Sequence, residues 1–110
     1  MLIGILVELL AALACILLGI SNTRGNLSAL HSYHYARVRE EDRLPFGRQV
    51  GWGLIIVGIG ILLMGLFSVL SWYLDKDSLT LLGMIPMVLG LAIGLSLAFR
   101  AMKKYNGGIF

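Results

Sequence analysis

Charge is scarce in this sequence. Lys, Arg, Asp and Glu together make up 14% of its 110 residues, where a soluble domain carries about 25%. Apolar residues make up 58%. There is too little polar surface to clothe a water-exposed fold, which excludes the soluble globular class. Cys occurs once, so no intramolecular disulfide and no multi-cysteine zinc site can form. Pro occurs twice, and neither a Pro-rich linker nor a low-complexity tail interrupts the chain. The length allows one domain and is too short for a soluble enzyme domain plus a membrane anchor. No Ser/His/Asp arrangement, phosphate-cradling Gly loop or metal-ligand set is visible. Neither catalysis nor a cofactor is therefore expected. The net charge of +3 does not mark a nucleic-acid patch, because the basic residues flank apolar runs, where they orient a chain and meet anionic head groups.

What the sequence does have is three apolar runs, at about 2–20, 50–73 and 79–99. A membrane-crossing helix needs about 20 such residues. At ~1.5 Å per residue the three runs reach ~28, ~36 and ~31 Å, enough to cross with modest tilt. The predicted fold is all-α: an integral membrane domain of three transmembrane helices. A loop at 21–49, a turn at 74–78 and a tail at 100–110 complete it. Trp52 and Trp72 lie twenty residues apart, ~30 Å of helix, so each ring can sit at one membrane interface.

Orientation follows from the basic residues. The loop holds Arg24, Arg37, Arg39, Arg43 and Arg48, and the tail holds Arg100, Lys103 and Lys104, against Lys76 alone in the turn. The positive-inside rule puts loop and tail in the cytoplasm, the N-terminus and turn outside. No Lys or Arg precedes Arg24, so a signal-peptide n-region is missing. The segment Ala12-Leu13-Ala14-Cys15 has the form of a bacterial lipoprotein box, but Ile16-Leu17-Leu18 carries the apolar run past the cysteine. The first run is expected to stay as a helix, inserted with its N-terminus outward.

Inside a bilayer, lipid tails are as apolar as Leu, so helices associate through close approach at small residues. Each run carries such residues. In the first, Gly4, Glu8, Ala11, Ala12, Cys15 and Gly19 form one stripe at helical spacing. In the second, Gly51, Gly58 and Gly65 repeat every seven residues, with Gly53 and Gly60 on what reads as a neighbouring line. In the third, Gly90, Gly94 and Ala98 form a small-xxx-small series, and Pro86 is expected to kink the helix. These faces suit the bundle itself or contacts with other chains. The two lines on the second run exceed what one partner needs, which favours a homo-oligomer or a larger membrane partner.

Glu8 is the only Asp, Glu, Lys or Arg within the apolar runs. Such a residue is costly at the centre of a membrane and cheaper toward an end. Lying on the small-residue stripe, it is expected to face the bundle. Two readings stand. It is structural, reaching interfacial water or a neighbouring Ser68, Ser71 or Ser96. Or it binds and releases a proton that drives substrate movement. A chain near this length with one Glu in its first helix resembles the small multidrug resistance transporters, which have four helices and short loops where this chain has three apolar runs and one long loop.

The loop is the one sizeable polar segment. Asn26 reads as a helix N-cap, and Leu27 to about Arg43 as a short helix lying in the cytoplasmic interface, Leu30 and Tyr35 inward and charges outward. Leu44-Pro45-Phe46-Gly47 is expected to end it. His31 and His34 are three apart, too few for zinc, which wants three or four ligands. With Tyr35, Arg37, Arg39 and Arg43 they are candidate lipid or partner contacts. Arg37 with Glu41, and Glu40 with Arg43, have helical pair spacing.

A first apolar run is followed by a basic, aromatic loop containing His31-Ser32-Tyr33-His34-Tyr35 and Glu40-Glu41-Asp42-Arg43. A Gly-rich run then opens at Gly47-Arg48-Gln49-Val50-Gly51. Over about 19–60 this order resembles the SdpI-like immunity proteins and related small, uncharacterised bacterial multi-span membrane proteins. The resemblance implies a bacterial cytoplasmic-membrane protein that protects against, or senses, a membrane-active toxin. The expected function is that of an accessory, immunity or regulatory subunit acting by helix–helix association. The alternative is an oligomeric proton-coupled small-molecule transporter using Glu8.

Overall fold

The computed structural model describes residues 2–27 and 36–108. Among these residues the chain is all-helical, with α1 at Leu2–Thr23, α2 at Arg43–Leu74 and α3 at Asp77–Asn106. A single 3-10 turn at Glu40–Asp42 leads into α2. All three helices are long and apolar enough to cross a membrane. The molecule is 52 Å long and 19 × 18 Å across. Its length therefore exceeds the ~30 Å hydrocarbon thickness of a bilayer.

Each helix stops for a local reason. Gly25 takes φ +90°, and the Asn26 N–H donates to Ser21 O (3.2 Å) while the Gly25 N–H donates to Asn22 O (3.0 Å). This left-handed cap satisfies the last carbonyls of α1. Asn26 thus closes α1. At the other end of the bundle Asp75, at φ 55°, plays the same part for α2, with the Lys76 N–H donating to Ser71 O (3.1 Å). Gly107 (φ 74°) closes α3, and the Gly108 N–H donates to Met102 O (3.2 Å).

The loop differs from the expectation. Residues 36–39 are not helical, and Arg39 is extended at φ −63°, ψ 149°. Arg43 opens α2 rather than closing an interfacial helix, and Pro45 stands in the first turn of α2 rather than after the end of another helix. The reason is that proline has no N–H, and the first-turn N–H groups have no acceptor in any case, so proline is tolerated there and its ring presets φ. Pro86 likewise leaves α3 continuous. It removes one rung of the ladder, and the packing of Gly83 against Phe67 on one side of the gap and of Gly60 against Pro86 and Gly90 on the other holds α3 to α2.

α2 is the central helix. It packs along α1 on one side and α3 on the other, and α1 and α3 share no comparable seam among the described residues. The seams are close contacts of glycines with the backbone and side chains of the neighbouring helix. A cluster of buried apolar residues adds to them at the loop end. There Phe46 and Val50 of α2 meet Ala98, Ala101 and Met102 of α3, and Leu27 and Val38 from the two sides of the loop close over them. The first turns of α2 and the last turns of α3 extend past Trp52 and supply this second core.

Candidate functional site

The glycine lines on α2 are fully used within the chain. A Cβ on Gly51 would strike Gly19 O, and one on Gly19 would lie 2.6 Å from Gly51 O. A Cβ on Gly58 would lie 2.6 Å from Ile16 Cγ1 and 3.0 Å from Ala12 O. One on Gly65 would lie 2.9 Å from Leu9 Cδ2. This line is therefore the α1 seam. Gly53 faces Gly94 O and Ala98, and Gly60 faces Pro86 O (2.8 Å) and the Gly90 Cα (3.2 Å). That line is the α3 seam, and it takes in Gly90, Gly94 and Ala98. Two residues along a helix is a rotation of ~200°, so the lines at 51 and 53 lie on nearly opposite faces rather than side by side. One central helix needs two such lines for its two neighbours, and their number does not require a second chain.

The α1 stripe splits. Ala12 and Gly19 are buried in the α2 seam. Gly4 has open space where a Cβ would stand, and Ala11 is exposed. Glu8 and Cys15 are half-buried at the edge between the two. The flank at Gly4 and Ala11 is consequently a small-residue surface that none of the described residues covers.

Glu8 stands where this flank meets the seam. Its Cβ is 3.8 Å from the position a Cβ on Gly65 would take, and its Oε2 is buried and accepts no hydrogen bond. A helix side chain leans toward its own N-terminus, which directs the carboxyl along α2 from Gly65 toward Ser68. Ser68 is buried and lies three residues from Gly65, on the same face of α2. Of the three serines expected as partners, Ser71 is spoken for, its Oγ donating to Lys76 O (2.8 Å). Ser96 is exposed on α3, away from α1.

His31, His34 and Tyr35 lie outside the described residues. Of the other candidate contacts, Arg37, Arg39 and Arg43 are all exposed at the loop end. Arg39 pairs with Glu41 (3.3 Å), a two-residue spacing that the 3-10 turn permits. The α-helical register on which an Arg37–Glu41 pair rests is absent, because the backbone before Glu40 is extended. The Arg37 N–H donates to Asn106 Oδ1 (2.7 Å), and Asn106 Nδ2 donates to Gly108 O (3.0 Å). The loop is thereby strapped to the end of α3. Beside the strap, the Phe46 and Tyr105 rings meet edge to face at 6.3 Å, and Lys104 Nζ stands 5.0 Å over the Tyr105 ring.

Sequence reasoning missed two asparagines. Asn106 is 1% exposed and Asn22 is 0% exposed. The signal for Asn106 was its place just before Gly107-Gly108, a helix stop. Asn22 lies in Ser21-Asn22-Thr23, the polar end of α1, which passes for ordinary interfacial sequence. Its carbonyl oxygen is where a Cβ on Gly47 would collide, and both atoms of its side-chain amide are buried without a hydrogen bond.

Comparison of the chain with protein-family models, with curated proteins and with solved structures gives no match.

Proposed function

We propose that this chain is a multi-pass protein of the bacterial cytoplasmic membrane, with the loop end in the cytoplasm. It acts as an accessory, immunity or regulatory subunit by pairing with a helix of another chain through the open flank of α1. The observation that carries this reading is the contrast between the flank and the seams. Every other glycine within the three helices packs against backbone or side chain, whereas Gly4 meets nothing and Ala11 is exposed. Small residues left bare on a lipid-facing helix permit the close backbone approach on which membrane association rests. The basic loop, strapped to α3, offers a second surface to the same partner at the membrane face.

The test is native mass spectrometry of protein extracted gently from its own host membrane, on the wild type and on Gly4→Leu with Ala11→Leu. A stoichiometric partner chain lost in the double variant, with helix content unchanged, supports the reading. A wild type that is monomeric and alone refutes it.

A second reading, supported by the buried, unbonded Oε2 of Glu8, is an oligomeric transporter that couples a proton to a small molecule. It predicts substrate-driven proton movement in vesicles for the wild type and none for Glu8→Gln. Proton movement unchanged in Glu8→Gln removes this reading.

A further inference from the structure

The lateral face of α3 carries a groove of about 350 Å³, lined by Ala92, Ile93, Ser96, Leu97 and Arg100. Ala92, Ser96 and Arg100 are four residues apart and so form one file along the helix. The first two have little side chain, which makes the floor, and Ile93 and Leu97 make a wall. The Leu97 carbonyl is already bonded, accepting from Gln49 Nε2 (3.1 Å), so the groove does not seek a donor from the backbone there. The file ends in Arg100, which is exposed and holds no ion pair among the described residues.

Its depth is set by Trp52. Gly53 lies against Gly94 O and Ala98, so Trp52, 56% exposed, stands level with residues 94–98 of α3. A lipid-facing Trp favours the interface. Arg100 is then at head-group depth, and Ala92, ~12 Å along the axis, is among acyl chains.

We propose that this groove seats one anionic phospholipid, its phosphate on Arg100 and one acyl chain laid over Ser96 and Ala92. Charge decides between a lipid and a second copy of the chain. Two copies in the same membrane orientation, packed symmetrically through this file, would bring Arg100 against Arg100, whereas a phosphate diester complements it. Arg100 belongs to a basic end, with Lys103 and Lys104 within four residues, which attracts anionic lipid to the right leaflet. This inference requires that α3 cross the membrane and is independent of the subunit reading, because the groove lies on α3 and the open flank on α1.

The experiment is native mass spectrometry of the full chain in detergent, titrated with phosphatidylglycerol or with phosphatidylcholine of the same acyl chains. The wild type is expected to hold one phosphatidylglycerol about tenfold more tightly than phosphatidylcholine, whose choline cation offsets the charge of the same phosphate beside Arg100. Arg100→Gln removes the preference. Ala92→Leu, which fills the floor and keeps the charge, weakens both lipids. Lys104→Gln, whose ammonium sits over Tyr105, leaves the preference within about twofold, since that charge is engaged elsewhere. Circular dichroism checks that the variants keep their helices. The proposal is overturned by a wild type without the preference, or by equal losses in Arg100→Gln and Lys104→Gln, which would mean diffuse attraction. It is equally overturned if Ile93→Cys forms a disulfide between copies, which would put a second chain in the groove.

Discussion

The α2–α3 seam makes a sharp stability prediction for Gly60→Ala. The added methyl would stand 2.8 Å from Pro86 O, 3.2 Å from the Gly90 Cα and 3.4 Å from the Met87 Cα. All three are backbone atoms, so no side chain can rotate away and the two helices must part. Overpacking of this kind costs about 1–3 kcal/mol, and the rigid surroundings place Gly60 at the upper end of that range. Against it stands the helix preference of Ala over Gly, about 1 kcal/mol. The expected net loss is about 2 kcal/mol. Gly4→Ala is the matched control. It has open space at the same point, so only the helix-preference gain remains, up to about 1 kcal/mol. Gly58→Ala should fall between them, because its nearest neighbour is the flexible Ile16 side chain. Reversible unfolding in mixed micelles with increasing dodecyl sulfate, followed by circular dichroism, measures all three. A Gly60→Ala variant as stable as the wild type would refute the glycine-seam account of the fold.

Further outcomes follow from single side chains. Asn22→Leu, of the same branched outline but larger, should raise stability by up to about 1 kcal/mol, because it replaces a buried amide that makes no hydrogen bond with an apolar group and gives back part of the gain in overpacking. Unchanged or lower stability in the same unfolding assay would show that the amide has a bonding role. Asn106→Ala should cost about 1–3 kcal/mol locally by leaving the Arg37 N–H without its acceptor. The readout is faster tryptic cleavage at the loop arginines; an unchanged rate would mean the strap does not hold the loop. Asp75→Gly should stabilise by about 1 kcal/mol, since Asp75 is the one non-glycine residue at positive φ among those described and carries negative charge at the C-terminal end of α2. A lower melting temperature would contradict this.

Some of this was readable without coordinates. The apolar runs place three helices, because a bilayer leaves the backbone almost no other way to satisfy its hydrogen bonds. Their lengths are underestimated at the polar ends, since α2 opens at Arg43 and α3 continues to Asn106, where hydropathy falls but backbone bonding and the loop-end core persist. The glycine positions were readable as packing positions. Their partners were not. Periodicity says that Gly51, Gly58 and Gly65 share a face, but not which helix meets it.

Composition and spacing alone therefore determined the class of this protein, an all-helical chain with three membrane-length helices, because burial in lipid is a property of each segment by itself. Tertiary structure decided everything that depends on who faces whom. It put α2 in the middle and matched its two glycine lines to α1 and α3, leaving Gly4 and Ala11 bare. It also drew Leu27 and Val38 over Phe46. Those outcomes turn on contacts between segments far apart in the chain. A one-dimensional pattern marks a face as small or apolar but carries no record of its partner.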